Sequence, residues 1–177
     1  MPNTPLARTD PISGAVNARY FNELVEMEIA RSRRSLCPFS IAYIDLDHFK
    51  NVNDLWGHAT GNDVIRFIAS EMKSELRTTD AVARIGGDEF ALLLPGSGQQ
   101  EAQAIISHLH ADLTDHMRQR NWPVTFSVGV VICATIPDSA NELVDMADEL
   151  MYMVKNSTKN DIRFSVYSGR QAHSVMA

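Results

Sequence analysis

The chain has 177 residues, of which 16 are basic and 22 are acidic, and its formal net charge is −6. This length fits about one domain with its own core, and the acidic balance argues against a nucleic-acid backbone or an anionic membrane as the main partner. Cys37 and Cys133 lie in no metal-binding spacing, so we expect neither a zinc site nor a disulfide scaffold. The sequence shows no pattern typical of a membrane span or a signal peptide, and we expect a cytoplasmic location.

Four stretches of the chain have helical patterns. Residues 1–9 precede them and are predicted to be a linker or a disordered N-terminus. Apolar residues then recur at helical spacing in four segments, which are residues 17–34, 62–76, 102–117 and 143–154. Ser139 and Glu142 have the spacing of a capping box, which predicts that the fourth helix begins beside them.

Strand patterns separate these helices. Residues 41–44 form a short apolar run, while residues 124–132 and 162–166 alternate between apolar and polar side chains, and each pattern predicts a β-strand. Gly86 and Gly87 lie between two β-prone runs in ARIGGDEFALLLPG, which predicts a hairpin with a two-residue turn because glycine reaches positive φ without steric cost. The order of elements predicts an α/β fold with helices packed on a mixed sheet.

Acidic residues are predicted to meet at one end of this sheet. Asp45 and Asp47 follow the strand at 41–44 and point to the same face of an extended segment, while Asp88 and Glu89 follow the two glycines. Mg²⁺ prefers oxygen ligands and is usually held by one or two carboxylates together with substrate phosphates. The spacing leaves two interpretations open: a cation site, or acids that only solvate the tip of a hairpin.

Six blocks of sequence carry a family resemblance. In chain order from Asp10 they are DPISGAVNARYF, DLDHFKNVND, LWGHATGND, RIGGDEF, TFSVGV and ADELMYMVK. Together they resemble the GGDEF family of diguanylate cyclases, so we expect residues 10–168 to form such a domain and residues 169–177 to be a tail. The resemblance implies a palm-type, ferredoxin-like fold that condenses two GTP molecules into cyclic di-GMP and two pyrophosphates.

The resemblance also implies a metal site in the acidic segments. It assigns metal ligation to the carboxylates of Asp45 and Asp88 and to the main-chain carbonyl of Leu46, with two Mg²⁺ or Mn²⁺ ions per site. Glu89 is assigned to catalysis as an acid that supports a metal, a lysine or the nucleophile, and the alternative is an outward-facing strand charge. The metals would assist attack of a 3′-hydroxyl on an α-phosphate, with one GTP bound by each subunit of a homodimer.

Further positions are implied to bind the substrate. The resemblance assigns the phosphate contacts to His48, Phe49, Lys50, Lys155 and Lys159. It assigns the guanine contacts to Asn53 and Asn62. Lys159 stands where the family more often has arginine, Thr158 replaces the usual glycine before it, and Asn62 replaces an aspartate. We therefore expect weaker phosphate binding and a less strict choice of base. For both lysines, a solvated helix end is the alternative.

Arg77 and Asp80 reproduce the family's RxxD inhibitory site, in its usual register to Gly86. Arginine can pair with phosphate or stack on guanine, so this site implies product inhibition by cyclic di-GMP. Two other functions remain open: a non-catalytic cyclic di-GMP receptor, and a cyclase of relaxed base choice. The sequence shows no sensor pattern, and we expect the chain to be a catalytic fragment or to need a partner domain.

Overall fold

The structure, a computed structural model, describes residues 7–169 and contains one mixed sheet of six strands. The strands are β1 (Val16–Asn17), β2 (Phe39–Asp47), β3 (Ala81–Arg84), β4 (Glu89–Pro95), β5 (Thr125–Cys133) and β6 (Asp161–Tyr167). Their order is β1-β3-β4-β2-β5-β6. The central strand β2 is antiparallel to both β4 and β5, while β1 with β3 and β5 with β6 are parallel pairs. The predicted mixed α/β sheet is confirmed.

Four helices cover the two faces of this sheet. They are α1 (Ala18–Ser35), α2 (Phe49–Glu75), α3 (Gln99–Gln119) and α4 (Ala140–Lys155). Apolar residues of α2 and α3 form the core on one face, and those of α1 and α4 form the core on the other. Because helices cover both faces and strands pair with both edges, all nine residues of β2 are buried. This strand therefore carries its two terminal aspartates into the interior.

Two elements differ from the sequence patterns at the beginning of the chain. The two-residue strand β1 was not predicted, and Asn17 within it donates its main-chain N–H to the Arg8 carbonyl (2.9 Å). Residues 1–6 of the predicted linker and residues 170–177 of the predicted tail lie outside the described residues. Helix α2 begins at Phe49 rather than near residue 62, because Gly57 (φ 85°, ψ 166°) interrupts the helix and hides its first turns from a periodicity search.

The hairpin between β3 and β4 has a longer loop than predicted. Four residues, 85–88, separate the strands, and the Ile85 N–H donates to the Glu89 carbonyl (2.8 Å). Neither Gly86 nor Gly87 has a left-handed φ, so the expected two-residue turn is wrong. The side chain of Arg84 holds the loop instead, because its guanidinium donates to the Gly86 and Gly87 carbonyls (3.1 and 2.8 Å).

The helix α4 begins beside Ser139 as predicted, but the hydrogen bonds of the predicted capping box are not formed. Ser139 is the residue before the helix, but its side chain makes no capping hydrogen bond. The main-chain N–H of Ala140 donates to Glu26 Oε1 of α1 (2.9 Å). A carboxylate from a neighbouring helix thus satisfies the free N–H at the start of α4, and only packing could bring it there.

Candidate active site

Three carboxylates meet where β2 lies beside the hairpin loop. Asp45 is opposite Glu89 in the register of β2 and β4, and the Leu46 N–H donates to the Asp88 carbonyl (2.9 Å). One oxygen each from Asp45, Asp88 and Glu89 lies within 4.8 Å of the others. The structure thus brings together the two acidic segments that are about forty residues apart in the sequence.

The charges of this cluster are incompletely balanced. Asp45 is 1% exposed, and its Oδ2 accepts a hydrogen bond from Lys155 Nζ at the end of α4 (2.8 Å). Its Oδ1 is buried and has no hydrogen-bond partner among residues 7–169. Burial raises the pKa of Asp45 against the effect of Lys155, and burial together with Asp45 raises the pKa of Glu89. The hydrogen bond to Asp45 raises the pKa of Lys155, which favours its charged form.

This donor set fits a divalent cation. A buried carboxylate oxygen without a partner is costly, and three carboxylates face a single lysine in the cluster. Carboxylate oxygens are the ligands that Mg²⁺ prefers, and a cation would satisfy the unpartnered Asp45 oxygen as well as reduce the repulsion. Asp45 and Asp88 are therefore the side chains best placed to hold a metal, with Glu89 beside them and the Leu46 main chain in between.

Asp47 lies outside this cluster, although the strand pattern grouped it with Asp45. Its carboxylate accepts hydrogen bonds from Thr125 Oγ1 (2.9 Å), Ser127 Oγ (2.7 Å) and the Asn160 N–H (3.1 Å). Asp47 is 2% exposed. The hypothesis that all four acids bind one cation is therefore corrected, because Asp47 is already occupied by three donors.

The residues predicted to bind phosphate lie at two helix ends. His48 (φ 63°) precedes α2, and Phe49 and Lys50 occupy its first turn, where main-chain N–H groups can bind an anion. Lys155 ends α4 and is paired with Asp45, as described above. Lys159 Nζ donates to the Lys155 carbonyl (3.0 Å), so in this structure it makes the helix-end contact that was its alternative role.

The residues predicted to contact the base lie on either side of the break at Gly57. Asn53 is on the first segment of α2 and Asn62 is on the second, and both are half-buried. A side chain at Gly61 would overlap Asn53 Oδ1, so only glycine leaves room for this asparagine. Asp63 pairs with Arg66 (2.6 Å) on an exposed face, so it does not replace Asn62 here.

The predicted inhibitory site is at the other end of β4. Arg77 donates from its main-chain N and Nη2 to the Asp80 carboxylate (both 2.9 Å). The Arg77 Nη2 also lies within hydrogen-bond distance of the Pro95 carbonyl (3.1 Å) and Ser97 Oγ (2.9 Å). A cleft of about 320 Å³ lies beside the pair, and Lys73 and Gly14 line it as well.

Three residues of these sites were missed from the sequence. Arg84 holds the hairpin loop, Gly61 makes room for Asn53, and Ser97 contacts Arg77. Arg84 and Gly61 stand inside the RIGGDEF and LWGHATGND blocks, so their place in a motif was a usable signal. Ser97 lies 20 residues from Arg77, and no local pattern links the two.

Comparison with known proteins gives the family. The profile of the diguanylate cyclase GGDEF domain matches residues 7–161. The chain belongs to the GGDEF family. It is 34% identical over 158 residues to the diguanylate cyclase DgcP of Pseudomonas aeruginosa, covering 87% of this chain and 23% of that protein. It is 30% identical to the diguanylate cyclase DosC of Escherichia coli, covering 86% of this chain and 34% of the relative.

Solved structures of GGDEF proteins have the same fold. The crystal structure of the diguanylate cyclase SiaD from P. aeruginosa, in complex with its activator SiaC, matches with a TM-score of 0.79 and 34% identity, over 90% of this chain and 62% of that one. The GGDEF domain of DgcB from Caulobacter crescentus, in complex with c-di-GMP, matches with a TM-score of 0.81 and 26% identity, over 91% and 94% of the two chains. These matches confirm the predicted family and fold.

The chain spans only about a quarter to a third of the length of the curated relatives named above. Within residues 7–169, no helix has the length and apolar character needed to cross a membrane.

Proposed function

We propose that this domain is a diguanylate cyclase that joins two GTP molecules into cyclic di-GMP and releases two pyrophosphates. The observation that carries the proposal is the cluster of the buried Asp45 with the half-buried Asp88 and Glu89 beside Lys155, in which one Asp45 oxygen has no hydrogen-bond partner among residues 7–169. Membership of the GGDEF family and the relatives that are diguanylate cyclases support it.

Asp45, Asp88 and the Leu46 carbonyl would hold two Mg²⁺ or Mn²⁺ ions in this proposal. Divalent cations there would neutralise phosphate charge and lower the pKa of the attacking 3′-hydroxyl. Lys155 orients the buried Asp45 through its 2.8 Å hydrogen bond and favours the ionised carboxylate against the effect of burial, which raises the pKa of Asp45. Glu89, whose pKa is raised by burial and by Asp45, is placed to support a metal or accept a proton near the nucleophile.

The triphosphate would lie between the N-terminus of α2 and the C-terminus of α4. The N–H groups at Phe49 and Lys50 are in the first turn of α2, where the helix dipole favours an anion. Lys155 and Lys159 supply the positive charge that an acidic chain must concentrate locally, and binding would exchange the present Lys159 contact for a phosphate. Asn53 and Asn62 would contact the guanine.

The reaction needs two copies of the domain. Each copy has one cluster made of three carboxylates among its described residues, and each would present one GTP. Attack by the 3′-hydroxyl of one nucleotide on the α-phosphate of the other requires the two sites to face each other, so we propose that the active form is a homodimer. Product binding at Arg77 and Asp80 would then limit the rate, and a relative that was crystallised with c-di-GMP supports binding by this fold.

The test is product identification after incubation with Mg²⁺ and GTP, ATP or both, by mass spectrometry. We expect cyclic di-GMP from GTP, and loss of at least about 10³-fold in turnover in Asp88→Ala, because the variant removes a proposed metal ligand from a loop. Asp115→Ala is the matched control, since Asp115 is an exposed aspartate paired with Arg118 on α3.

Three outcomes distinguish the candidates. Near-normal turnover in a folded Asp88→Ala protein would contradict the metal assignment. Cyclic di-GMP binding without any turnover would favour the non-catalytic receptor. Mixed or adenine products would favour a cyclase with relaxed base choice.

A further inference from the structure

Asp47 is a buried carboxylate that the proposed reaction does not use. Two hydroxyls of β5 and one main-chain N–H donate to it, and no lysine or arginine pairs with it within residues 7–169. A carboxylate can only accept hydrogen bonds, so all three groups must point toward it. The two hydroxyls belong to β5, whereas the Asn160 N–H belongs to the turn between α4 and β6.

That turn has an uncommon backbone. Lys159 (φ 51°) and Asn160 (φ 45°) are consecutive non-glycine residues in the left-handed region. Each such residue costs roughly 1–2 kcal/mol for most side chains, so the surrounding structure must hold the turn in place. Two main-chain hydrogen bonds contribute to this: the Lys159 N–H donates to the Val154 carbonyl (2.9 Å), and the Asn160 N–H donates to Asp47 Oδ2 (3.1 Å). The Asn160 side chain also accepts a longer hydrogen bond from Thr114 Oγ1 (3.4 Å).

The turn carries one of the two lysines proposed to bind phosphate and contacts the main chain of the other. Lys159 Nζ donates to the carbonyl of Lys155 (3.0 Å), and Lys155 Nζ donates to Asp45 (2.8 Å). Thr158, which replaces a glycine usual in the family, has no left-handed φ, so this replacement by itself does not strain the turn. The left-handed residues are Lys159 and Asn160, and Asp47 accepts the hydrogen bond from the Asn160 N–H.

We propose that Asp47 is a positioning residue for triphosphate binding, which acts by holding the Lys159–Asn160 turn through the Asn160 N–H. The inference rests on the proposed function for the identity of the substrate. It assigns Asp47 no metal, although Asp47 is two residues from Asp45 on the same strand. Loss of Asp47 would free the turn, displace Lys159 and weaken the hold on the end of α4.

The test compares Asp47→Ala with Asp47→Asn and with Thr125→Val. Asparagine can keep an oxygen toward the Asn160 N–H while the Ser127 hydroxyl turns to accept from its amide, so this variant should preserve the turn. Thr125→Val removes one donor to Asp47 and leaves the Asn160 contact. The measurements are amide hydrogen exchange at Asn160 by NMR, binding of a non-hydrolysable GTP analogue by calorimetry, KM and kcat for GTP, and the Mg²⁺ concentration for half-maximal rate.

We expect Asp47→Ala to speed exchange at Asn160 and to raise both the analogue Kd and the KM about tenfold, the effect of losing a charged hydrogen bond. The kcat and the Mg²⁺ requirement should change much less. Asp47→Asn and Thr125→Val should stay near the wild-type values for Asn160 exchange and KM. If Asp47→Ala does not fold, Asp47→Asn still separates a positioning role from metal ligation, because the loss of a metal ligand would raise the Mg²⁺ requirement.

Several results would overturn the inference. The first is a folded Asp47→Ala protein in which amide exchange at Asn160 is unchanged. The second is a raised Mg²⁺ requirement in Asp47→Asn. The third is a rise of the KM in Thr125→Val as large as the rise in Asp47→Ala. A wild-type protein that makes no cyclic di-GMP would instead contradict the proposed function, while the exchange at Asn160 would still report on the role of Asp47.

Discussion

The two ends of strand β4 carry two charged sites of opposite character. At its beginning, Glu89 adjoins Asp45 and Asp88, and a buried Asp45 oxygen lacks a hydrogen-bond partner in the described part of the chain. At its end, the Pro95 carbonyl and Ser97 Oγ lie beside the Arg77 guanidinium, which also pairs with Asp80. The first site has more acceptors than donors, and the second has its charges matched within the protein.

The difference shows how each site would meet a ligand. Burial of an unpartnered carboxylate oxygen and repulsion between carboxylates cost stability, so a cation bound in this cluster would add contacts without replacing a hydrogen bond to that oxygen. Arg77 must exchange existing hydrogen bonds for those of a ligand, so the net gain on binding is smaller than its contacts suggest. An incompletely satisfied site is therefore the better indicator of a strongly bound cation.

The largest effect that would sharpen this comparison concerns Asn62, which is proposed to contact the base of the nucleotide. Aspartate accepts from both N1–H and N2–H of guanine, whereas asparagine offers one acceptor and one donor. We expect the wild type to prefer GTP, but with a higher KM for GTP than Asn62→Asp has. The substitution should increase the preference for GTP over ATP by about 1.5–3 kcal/mol, the value of a charge-assisted hydrogen bond. The measurement is kcat/KM for GTP and ATP in both proteins.

Asn62→Asp has a matched control in Asp63→Asn, because the Asp63 carboxylate points away and pairs with Arg66. This control should leave base choice unchanged. A wild type that prefers ATP would show that guanine recognition is assigned wrongly.

A smaller effect is expected at the matched site. Arg77→Ala should weaken cyclic di-GMP binding by at least about 1 kcal/mol, roughly fivefold, because it removes a charged hydrogen-bond donor. The loss is modest because the wild-type arginine must first give up hydrogen bonds within the protein. Calorimetry measures the affinity. Arg118→Ala is the control, since Arg118 forms a similar exposed pair three residues from Asp115 (3.1 Å). Equal affinity in wild type and Arg77→Ala would place the product elsewhere.

The smallest effect would test the imbalance of the carboxylate cluster itself. The folded-state pKa of Glu89 is raised above its usual 4.5 by burial and by Asp45. Folding therefore favours the neutral form of Glu89. The contribution of Glu89 to the free energy of unfolding is complete below pH 4.5 and is lost as the pH rises through the raised pKa. Without metal at pH 7, Glu89→Gln should therefore raise the melting temperature by about 2 °C, since a partly exposed group contributes at most about 1 kcal/mol.

Thermal unfolding in a chelating buffer at several pH values measures this difference. The gap between Glu89→Gln and wild type should close as pH falls toward 4.5, and the exposed Glu149→Gln should show no such gap. A Glu89→Gln protein that melts below wild type at pH 7 would mean that the ionised cluster stabilises the fold.

Local sequence patterns predicted much of the fold. The spacing of apolar residues located α1 to within one residue of each end and located α3, α4 and the longer strands. The helical start at Phe49 was hidden, because Val52 is the one apolar residue between Lys50 and Asp54 and Gly57 breaks the register. Likewise, Ser139 has the residue type of a cap, but Glu26 from another helix supplies the hydrogen bond.

The sequence by itself determined the alternation of helices and strands, the family motifs and the two acidic segments, because these depend on residues close together in the chain. Only the tertiary structure decided the partners of each acid: Asp45 with Lys155, 110 residues away, and Asp47 with Asn160, 113 residues away. Two aspartates on one face of one strand look equivalent in sequence. Packing makes one a candidate metal ligand and the other a hydrogen-bond acceptor for a turn, because burial forces each carboxylate to be matched by whatever groups the fold brings beside it.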